Sequence, residues 1–540
     1  MTMAKPQSRH FSDLLDEITE RDPSKEFLVS GDSRLSYGEF RERAEATARG
    51  LYAMGVRRGD RIAVLVSNRT EWMEIAFGAF QLGAILAPLS TWSRAWDLGY
   101  TLRHSGAKLL VTLPEFHGNV FLDYLRELAP DLGSSSRDRL QLEDFPALER
   151  VVVVGSEAGD GMWSSEEMLA AGEGVEDSDL AAVRADLTPD DLAYILYTSG
   201  TTADPKGVMV AHGNCVENAF LIGERQHQTS EDRLWLAVSL GWGFAAMNAL
   251  PAILSHGGTL VMQEDFDAAE ALRLFEAERI TVVYGMPNIV DALLAHPDSA
   301  TADRSTLRTG AMIGTPEQLR VAIEDLGVSE MCNIYGSTET YGNSCVTDAH
   351  EPAEMRMISQ GPPVPGHRIR IVDPVTREEL PAGEVGEVVV GGRICPGYWN
   401  APEQNAAAFK DGEYLSGDAA YLDEEGRFFY SGRFKEMIKT GGINVAPPEV
   451  EAFLATHELI REASVVGMPD ESKSEIIHAV LRLEPGADVD TGELRTYCKE
   501  RIASYKIPAR FTVLEADFPR TTTGKVNKNE LREQLLAGEI

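Results

Sequence analysis

Ala193-Tyr194-Ile195-Leu196-Tyr197-Thr198-Ser199-Gly200-Thr201-Thr202-Ala203-Asp204-Pro205-Lys206-Gly207 is an apolar run that breaks into glycines and small hydroxyl residues and closes on a lysine. The run at 193–197 reads as a buried strand, and the residues after it have the composition of a phosphate-binding turn. Residues such as Thr198, Ser199, Gly200, Thr201 and Thr202 offer backbone N–H groups and hydroxyl donors to a polyphosphate, and Lys206 adds a point charge. This is not a Walker A loop, because Gly207 follows Lys206 where a Ser or Thr belongs. The competing reading is a Ser/Thr/Gly-rich surface turn.

Outward from this stretch, short β-branched runs alternate with amphipathic patterns. Residues 62–66, 109–113, 151–154 and 281–284 read as strands, and 39–54 and 268–278 as helices. The alternation predicts parallel sheets covered by helices, a layered α/β architecture. The segment 155–191 is rich in Gly, Ser, Asp and Glu and reads as surface connection. From about 361 the texture changes to short strands (368–372, 387–390) between Pro and Gly turns. After Arg433 it changes again, to a compact α+β pattern with strands at 463–466 and 476–483 and a helix at 492–502.

The 540 residues exceed one ordinary core, which stops growing near about 250–300 residues. A formal net charge of −35 excludes the basic footprint of a nucleic-acid binder and disfavours an anionic membrane surface. The five cysteines, with no Cys-x-x-Cys pair, suit a reducing compartment, and the expected location is cytoplasmic. The N-terminal ten residues carry no apolar signal-peptide core. Residues 234–261 carry no Asp, Glu, Lys or Arg, but their glycines and Pro251 argue for a buried helix followed by a buried strand, not a membrane span.

Further motifs stand in order along the chain: Tyr335-Gly336-Ser337-Thr338-Glu339-Thr340, Tyr414-Leu415-Ser416-Gly417-Asp418, Ser431-Gly432-Arg433-Phe434-Lys435, Ile438-Lys439-Thr440-Gly441-Gly442-Ile443-Asn444-Val445 and Pro519-Arg520-Thr521-Thr522-Thr523-Gly524-Lys525. A carboxylate such as Glu339 near a triphosphate is best explained by Mg²⁺, a hard cation held by oxygens.

Together with the phosphate turn, these motifs resemble those of the ANL superfamily of acyl-CoA synthetases, peptide-synthetase adenylation domains and luciferases, over essentially the whole chain. The resemblance implies an α/β fold. A large N-terminal AMP-binding domain (1–433) would carry layered α/β sheets and a small β-barrel-like subdomain. A small mobile α+β C-terminal domain (434–540) would pivot at Lys435. It also implies ATP, Mg²⁺ and coenzyme A as cosubstrates and cofactor, with Thr201 and Glu339 on the metal. Thr198 to Thr202, Lys206, Asn333, Tyr335, Gly336, Thr338, Asp418 and Arg433 would hold ATP and AMP. Tyr335 would lie on adenine, Thr338 near phosphate and Asp418 across the ribose hydroxyls.

Lys525 would reach the substrate carboxylate and the α-phosphate. There two anions meet, and an ammonium stabilises the charge that builds on the phosphoryl oxygens. Lys439, Gly441 and Gly442 would serve the thioester step, the glycines admitting a narrow pantetheine arm. The CoA thiol attacks the mixed anhydride directly, so no enzyme nucleophile is assigned, and His212 and His256 are read as structural. The acyl pocket would draw on Trp242, Phe244, Met247, Tyr284, Gly310, Ala311 and Met312. Its bulk favours short or medium-chain, aromatic or cyclic acids. Where the family often has His, this chain has Trp242, which leaves the acid open. The alternatives are transfer to an amine or a carrier protein and, more remotely, a non-catalytic nucleotide-binding protein. A luciferase-type oxygenase finds no support in the residues. A small-molecule acid is the expected partner, and a homodimer the expected assembly.

Overall fold

The computed structural model describes residues 5–198, 204–433, 437–520 and 526–540, with the side chain of Arg433 left out. By internal contacts the chain forms two units: 1–91, 102–197 and 207–432 in one, and 92–101, 198–206 and 433–540 in the other.

The first unit is built on two mainly parallel sheets. The seven-stranded sheet runs in the order Lys206–Ala211, Leu192–Thr198, Ile85–Pro88, Arg61–Leu65, Leu109–Thr112, Arg150–Val153 and Trp163–Ser164. The eight-stranded sheet runs Cys345–Val346, Glu330–Tyr335, Thr309–Met312, Val282–Tyr284, Arg233–Leu236, Thr259–Met262, Glu26–Ser30 and Ser33–Ser36. Their central strands are apolar on both faces, as strands covered by helices on each side must be. Helix Tyr37–Ala53 starts at a capping box in which Ser36 Oγ accepts from Glu39 N at 3.2 Å and Glu39 Oε2 accepts from Ser36 N at 2.8 Å. Phe11 packs on Phe80 at 5.0 Å and on Tyr194 at 6.1 Å, tying the first helix, Phe11–Arg21, to the strand that leads into the phosphate turn. His212 is buried, stacked on His10 at 3.7 Å, and burial lowers its pKa well below the usual value. His256 is buried against Phe220 at 5.0 Å. Both histidines sit in the core.

A five-stranded antiparallel sheet completes this unit, with His367–Val372, Gly386–Gly392, Glu413–Leu422 and Phe409–Lys410 in order and Phe428–Arg433 on Glu413–Leu422. It is the small β-rich subdomain read from the sequence.

Two local readings are corrected. The segment 155–191 is not mere connection: it holds the helices Ser165–Gly172, opened by a Ser164/Glu167 capping box, and Asp177–Arg184. Its polar composition belongs to solvent-facing sides, while Met168 and Leu180 anchor the helices inward. Residues 234–261 begin inside a strand, Arg233–Leu236, before the π-helix Phe244–Ala249, the helix Leu250–Ser255 and the strand Thr259–Met262. The apolar run 234–238, with no turn signal before Gly241, hides that first strand from periodicity.

The second unit has its own core, with Val450, Phe453, Leu454, Val465, Ile477, Leu481, Leu494 and Cys498 buried together. Its sheet orders Ile443–Val445, Ile438–Thr440, Ser474–Leu483 and Ile460–Asp470, with Arg510–Val513 parallel to Ser474–Leu483. Within this unit Lys506 is 6% exposed and its ammonium lies 2.7 Å from Asp97 and 2.6 Å from Glu449. Asp97 also accepts from Ala503 N at 3.0 Å. A buried cation shared by two carboxylates contributes little net over an apolar replacement, but deleting it leaves two buried anions uncompensated. Lys506→Ala should therefore cost about 3–5 kcal/mol, read from urea unfolding of the full chain. A cost below about 1 kcal/mol, the value of a surface pair, would show that water reaches the cluster.

Candidate active site

The strand Glu330–Tyr335 delivers the hexapeptide 335–340 to one end of the eight-stranded sheet. Gly336 is required there by space: a Cβ would lie 1.9 Å from Gly342 O. The Tyr335 ring is stacked on Phe428 at 4.2 Å, with Tyr430 at 6.1 Å. Its hydroxyl donates to Asp418 Oδ2 at 2.9 Å. Burial first, and the Asp418 charge second, push the Tyr335 phenol far above its usual pKa, so it stays a donor. The hydroxyl of Ser416, which accepts from Asp418 N at 3.0 Å, fixes the same loop. The adenine and ribose candidates thus form one hydrogen-bonded pair, in which a single phenol orients the Asp418 carboxylate.

Asn333, on the same strand, is fully buried, and both polar atoms of its side-chain amide lack a partner among the described residues. An orphaned buried amide costs about 1–3 kcal/mol, so this position fits a ligand that supplies a donor and an acceptor, as an adenine edge does.

Glu339 is 8% exposed and accepts from the Tyr398 hydroxyl at 2.8 Å. Burial, then the Glu339 charge, raises the Tyr398 pKa far above its ordinary value. Among the described residues Glu339 has no cationic partner. A nearly buried carboxylate held by a phenol offers the oxygen donor that a hard cation such as Mg²⁺ takes. When bound, that ion would neutralise phosphate charge beside Glu339. Tyr398 is not named by the sequence motifs. Its place follows from the strand Lys206–Ala211: Val208 bridges Tyr398, and Trp399 N donates to Gly207 O at 2.7 Å. His367 also lies outside the motifs. Its Nε2 lies 3.1 Å from Thr340 O, and burial, with Arg393 beside it, lowers its pKa to about 4. It is therefore neutral at pH 7 and donates through Nε2 to that carbonyl.

The acyl-pocket candidates fall on neighbouring elements. Tyr284 pairs in register with Ala311, Met312 follows, and Phe244 packs on Tyr284 at 5.0 Å. Tyr284, Met247, Ala311 and Met312 are fully buried, whereas Trp242 and Phe244 are half-buried. Gly310 has φ +152°, and a Cβ would stand 1.9 Å from Val283 O, so no other residue fits that wall. Gly243 brings this segment to the hexapeptide, since a Cβ there would lie 3.3 Å from Thr338 Oγ1 and 2.7 Å from Met247 Cε. Gln226 Nε2 donates to the Tyr284 hydroxyl at 2.9 Å, a buried polar partner that no motif announced.

Thr198 ends its strand and Lys206 begins the next, bracketing the phosphate turn. Ser199, Gly200, Thr201, Thr202, Lys435 and Lys525 lie outside the described residues, as does the side chain of Arg433. In the second unit, Ile438–Thr440 and Ile443–Val445 form a hairpin with a two-residue turn. Gly441 and Gly442 have φ of +56° and +83°, the type I′ geometry that glycine adopts without strain. The Gly-Gly pair is thus already explained by the turn. A Cβ at Gly441 would meet nothing within 4 Å, so its far side is open.

All five cysteines are buried. Burial pushes the thiols of Cys332 and Cys498 up to about 12 and those of Cys215, Cys345 and Cys395 higher still. None is a thiolate nucleophile at neutral pH. Among the described residues no helix is long and apolar enough to cross a membrane.

The chain matches known proteins over nearly its whole length. The family described as AMP-binding enzyme matches residues 15–399, and the AMP-binding enzyme C-terminal domain matches 449–525. The chain is 34% identical to the putative acyl-CoA synthetase YngI of Bacillus subtilis (strain 168), over 97% of its own length and 96% of that protein's. It is 33% identical to the mitochondrial medium-chain acyl-CoA ligase ACSF2 of Danio rerio, over 98% of its length and 88% of that protein's. The amide bond synthetase McbA of Marinactinospora thermotolerans shares the fold, with a TM-score of 0.79 at 24% identity, covering 96% of this chain and 99% of that one. With a family match over most of its length and acyl-CoA ligases among its full-length relatives, the chain belongs to the AMP-binding enzyme family as an ATP-dependent acid–CoA ligase of the ANL superfamily.

Proposed function

We propose that the two half-reactions divide between the two units along the lines of the motifs. In the first, Lys525 bridges the substrate carboxylate and the α-phosphate, Glu339 and Thr201 hold Mg²⁺, and Thr198 to Thr202 with Lys206 cradle the phosphates. Asn333 and Tyr335 take adenine, Gly336 and Thr338 border the phosphates, and Asp418 with Arg433 takes the ribose. In the second, residues 434–540 turn at Lys435 and present Lys439, Gly441 and Gly442 to CoA. The observation that supports this reading is that two carboxylates, Asp418 held by the Tyr335 phenol and Glu339 held by the Tyr398 phenol, both lie close enough to the buried Tyr414 to raise its pKa.

The acid is short or medium-chain, aromatic or cyclic. Supporting this, Tyr284, Met247 and Met312 are fully buried, and the half-buried Phe244 packs on Tyr284. The acceptor thiol comes from CoA, a reading supported by the acyl-CoA ligases among the full-length relatives and by the Gly441-Gly442 turn with Lys439. The buried free cysteines suit the cytoplasm, and sedimentation of the purified chain checks the expected homodimer.

The Gly-Gly hairpin tests the CoA assignment. Gly441→Leu would strain a left-handed residue and confuse fold with function, whereas Asn tolerates that conformation. Gly441→Asn should lower thioester formation about tenfold, an added side chain displacing the arm by about 1.4 kcal/mol of lost contact, with acid-dependent pyrophosphate exchange unchanged. Equal effects on both half-reactions would remove this turn from the CoA path.

A further inference from the structure

Among the described residues one constellation of metal-ligating side chains stands apart from the nucleotide site: His227, Asp348 and His350, whose nearest ligand atoms all lie within 4.8 Å of one another. We propose that these three residues form a site for a late first-row divalent cation of the Zn²⁺, Ni²⁺ or Cu²⁺ class, distinct from the Mg²⁺ of the reaction.

The donors are already gathered, and one ring turn completes the site. His227 Nε2 lies 2.9 Å from Asp348 Oδ1, and the two imidazole rings are stacked face to face with centroids 3.7 Å apart and planes 14° from parallel, so the exposed His350 ring must turn out of the stack for both in-plane lone pairs to meet one ion. Ligand atoms at about 2.1 Å around a tetrahedral centre stand about 3.4 Å apart. A metal therefore replaces the hydrogen between His227 and Asp348 with a few tenths of an ångström of separation, the imidazole proton passing to solvent. Glu330 Oε1, 3.7 Å from His350 Nε2, is near enough to serve as a fourth donor. Two imidazoles and a carboxylate select against Mg²⁺, which prefers an all-oxygen shell.

Three features hold the donors before any ion arrives. His227 follows the end of the helix His212–Arg225 with φ +51°, a left-handed conformation that non-glycine residues adopt at a cost, and its carbonyl accepts from Arg308 Nη2 at 3.2 Å. Ala349 N donates to Arg225 O at 2.8 Å, fastening the 348–350 turn to that helix end. Asp348 Oδ1 also accepts from His350 N at 2.9 Å. A dication beyond a helix C-terminus is favoured by the partial negative charge there. The nearby Arg308 is already paired with Asp232 at 2.9 Å and Glu330 at 2.7 Å, so its charge is largely offset.

The test uses the full chain without a histidine tag, stripped with a chelator and titrated with Zn²⁺ by calorimetry and with Co²⁺ by visible absorption. The expected result is one saturable equivalent with an imidazole-type Co²⁺ spectrum, weakened at least about tenfold in His350→Ala and in Asp348→Asn, since losing a ligand costs no less than losing its supporting partner. Zn²⁺ should raise the melting temperature of the parent and not of His350→Ala. Absence of saturable binding, or the same affinity and stoichiometry in both variants, would overturn the proposal.

Discussion

Lys525→Ala is expected to lower acyl-AMP formation about 10³-fold while conversion of supplied acyl-AMP to thioester stays close to the parent's rate. The size follows from the charges involved. A carboxylate must approach an α-phosphate that already carries negative charge, and the transition state spreads more charge on the phosphoryl oxygens. One preorganised cationic donor aimed at that charge is worth about 3–4 kcal/mol, which is about 10²–10³ in rate. Once the mixed anhydride exists, the remaining step expels AMP and no longer brings two anions together, so the lysine has nothing left to offset. Single-turnover measurement of each half-reaction separates the two. An equal loss in both would mean that Lys525 supports the fold or AMP itself, not the carboxylate–phosphate junction.

Glu339→Gln should reduce adenylation about 10²-fold and raise the Mg²⁺ concentration needed for half-maximal rate. Gln keeps the volume beside Tyr398 and removes the charge that, among the described residues, has no cation near it. Tyr398→Phe provides the control. It deletes a 2.8 Å hydrogen bond to a carboxylate but leaves the charge, a loss of about 1.5–3 kcal/mol in orientation. Its effect should therefore appear in rate at saturating Mg²⁺, smaller than that of Glu339→Gln. A Glu339→Gln enzyme with an unchanged Mg²⁺ requirement would show that the carboxylate is a structural acceptor for Tyr398 alone.

Much of this arrangement is legible in the residues because local pattern and global fold agree. The strands near 62, 109, 151 and 282 are short β-branched runs flanked by turn signals, and each falls within a residue or two of its expected place. The helix read at 39–54 from its amphipathic pattern stands at Tyr37–Ala53. Segments whose burial is one-sided or brief are less legible. Leu180 and Met168 are single anchors in polar stretches, so the helices between 155 and 191 carry little periodicity. The site shows the same division. Glu339, Asp418 and Tyr335 stand in compact motifs whose resemblance to the family's implies phosphate and nucleoside chemistry. Tyr398, His367 and Gln226 do not, because their roles arise from pairings 59, 27 and 58 residues away along the chain that no local spacing records. The glycines divide too: Gly441 and Gly442 are dictated by a hairpin turn, Gly310 and Gly336 by backbone that leaves no room for a Cβ.

The most direct measurement incubates the purified chain with ATP, Mg²⁺, CoA and a panel of short, medium-chain, aromatic and cyclic carboxylic acids, following AMP, pyrophosphate and the acyl product by mass. The expected result is acid-dependent release of AMP and pyrophosphate with one acyl-CoA formed per AMP. AMP release without a thioester, or an acyl group recovered only on an amine or a carrier protein, would contradict the assignment of this chain as an acid–CoA ligase.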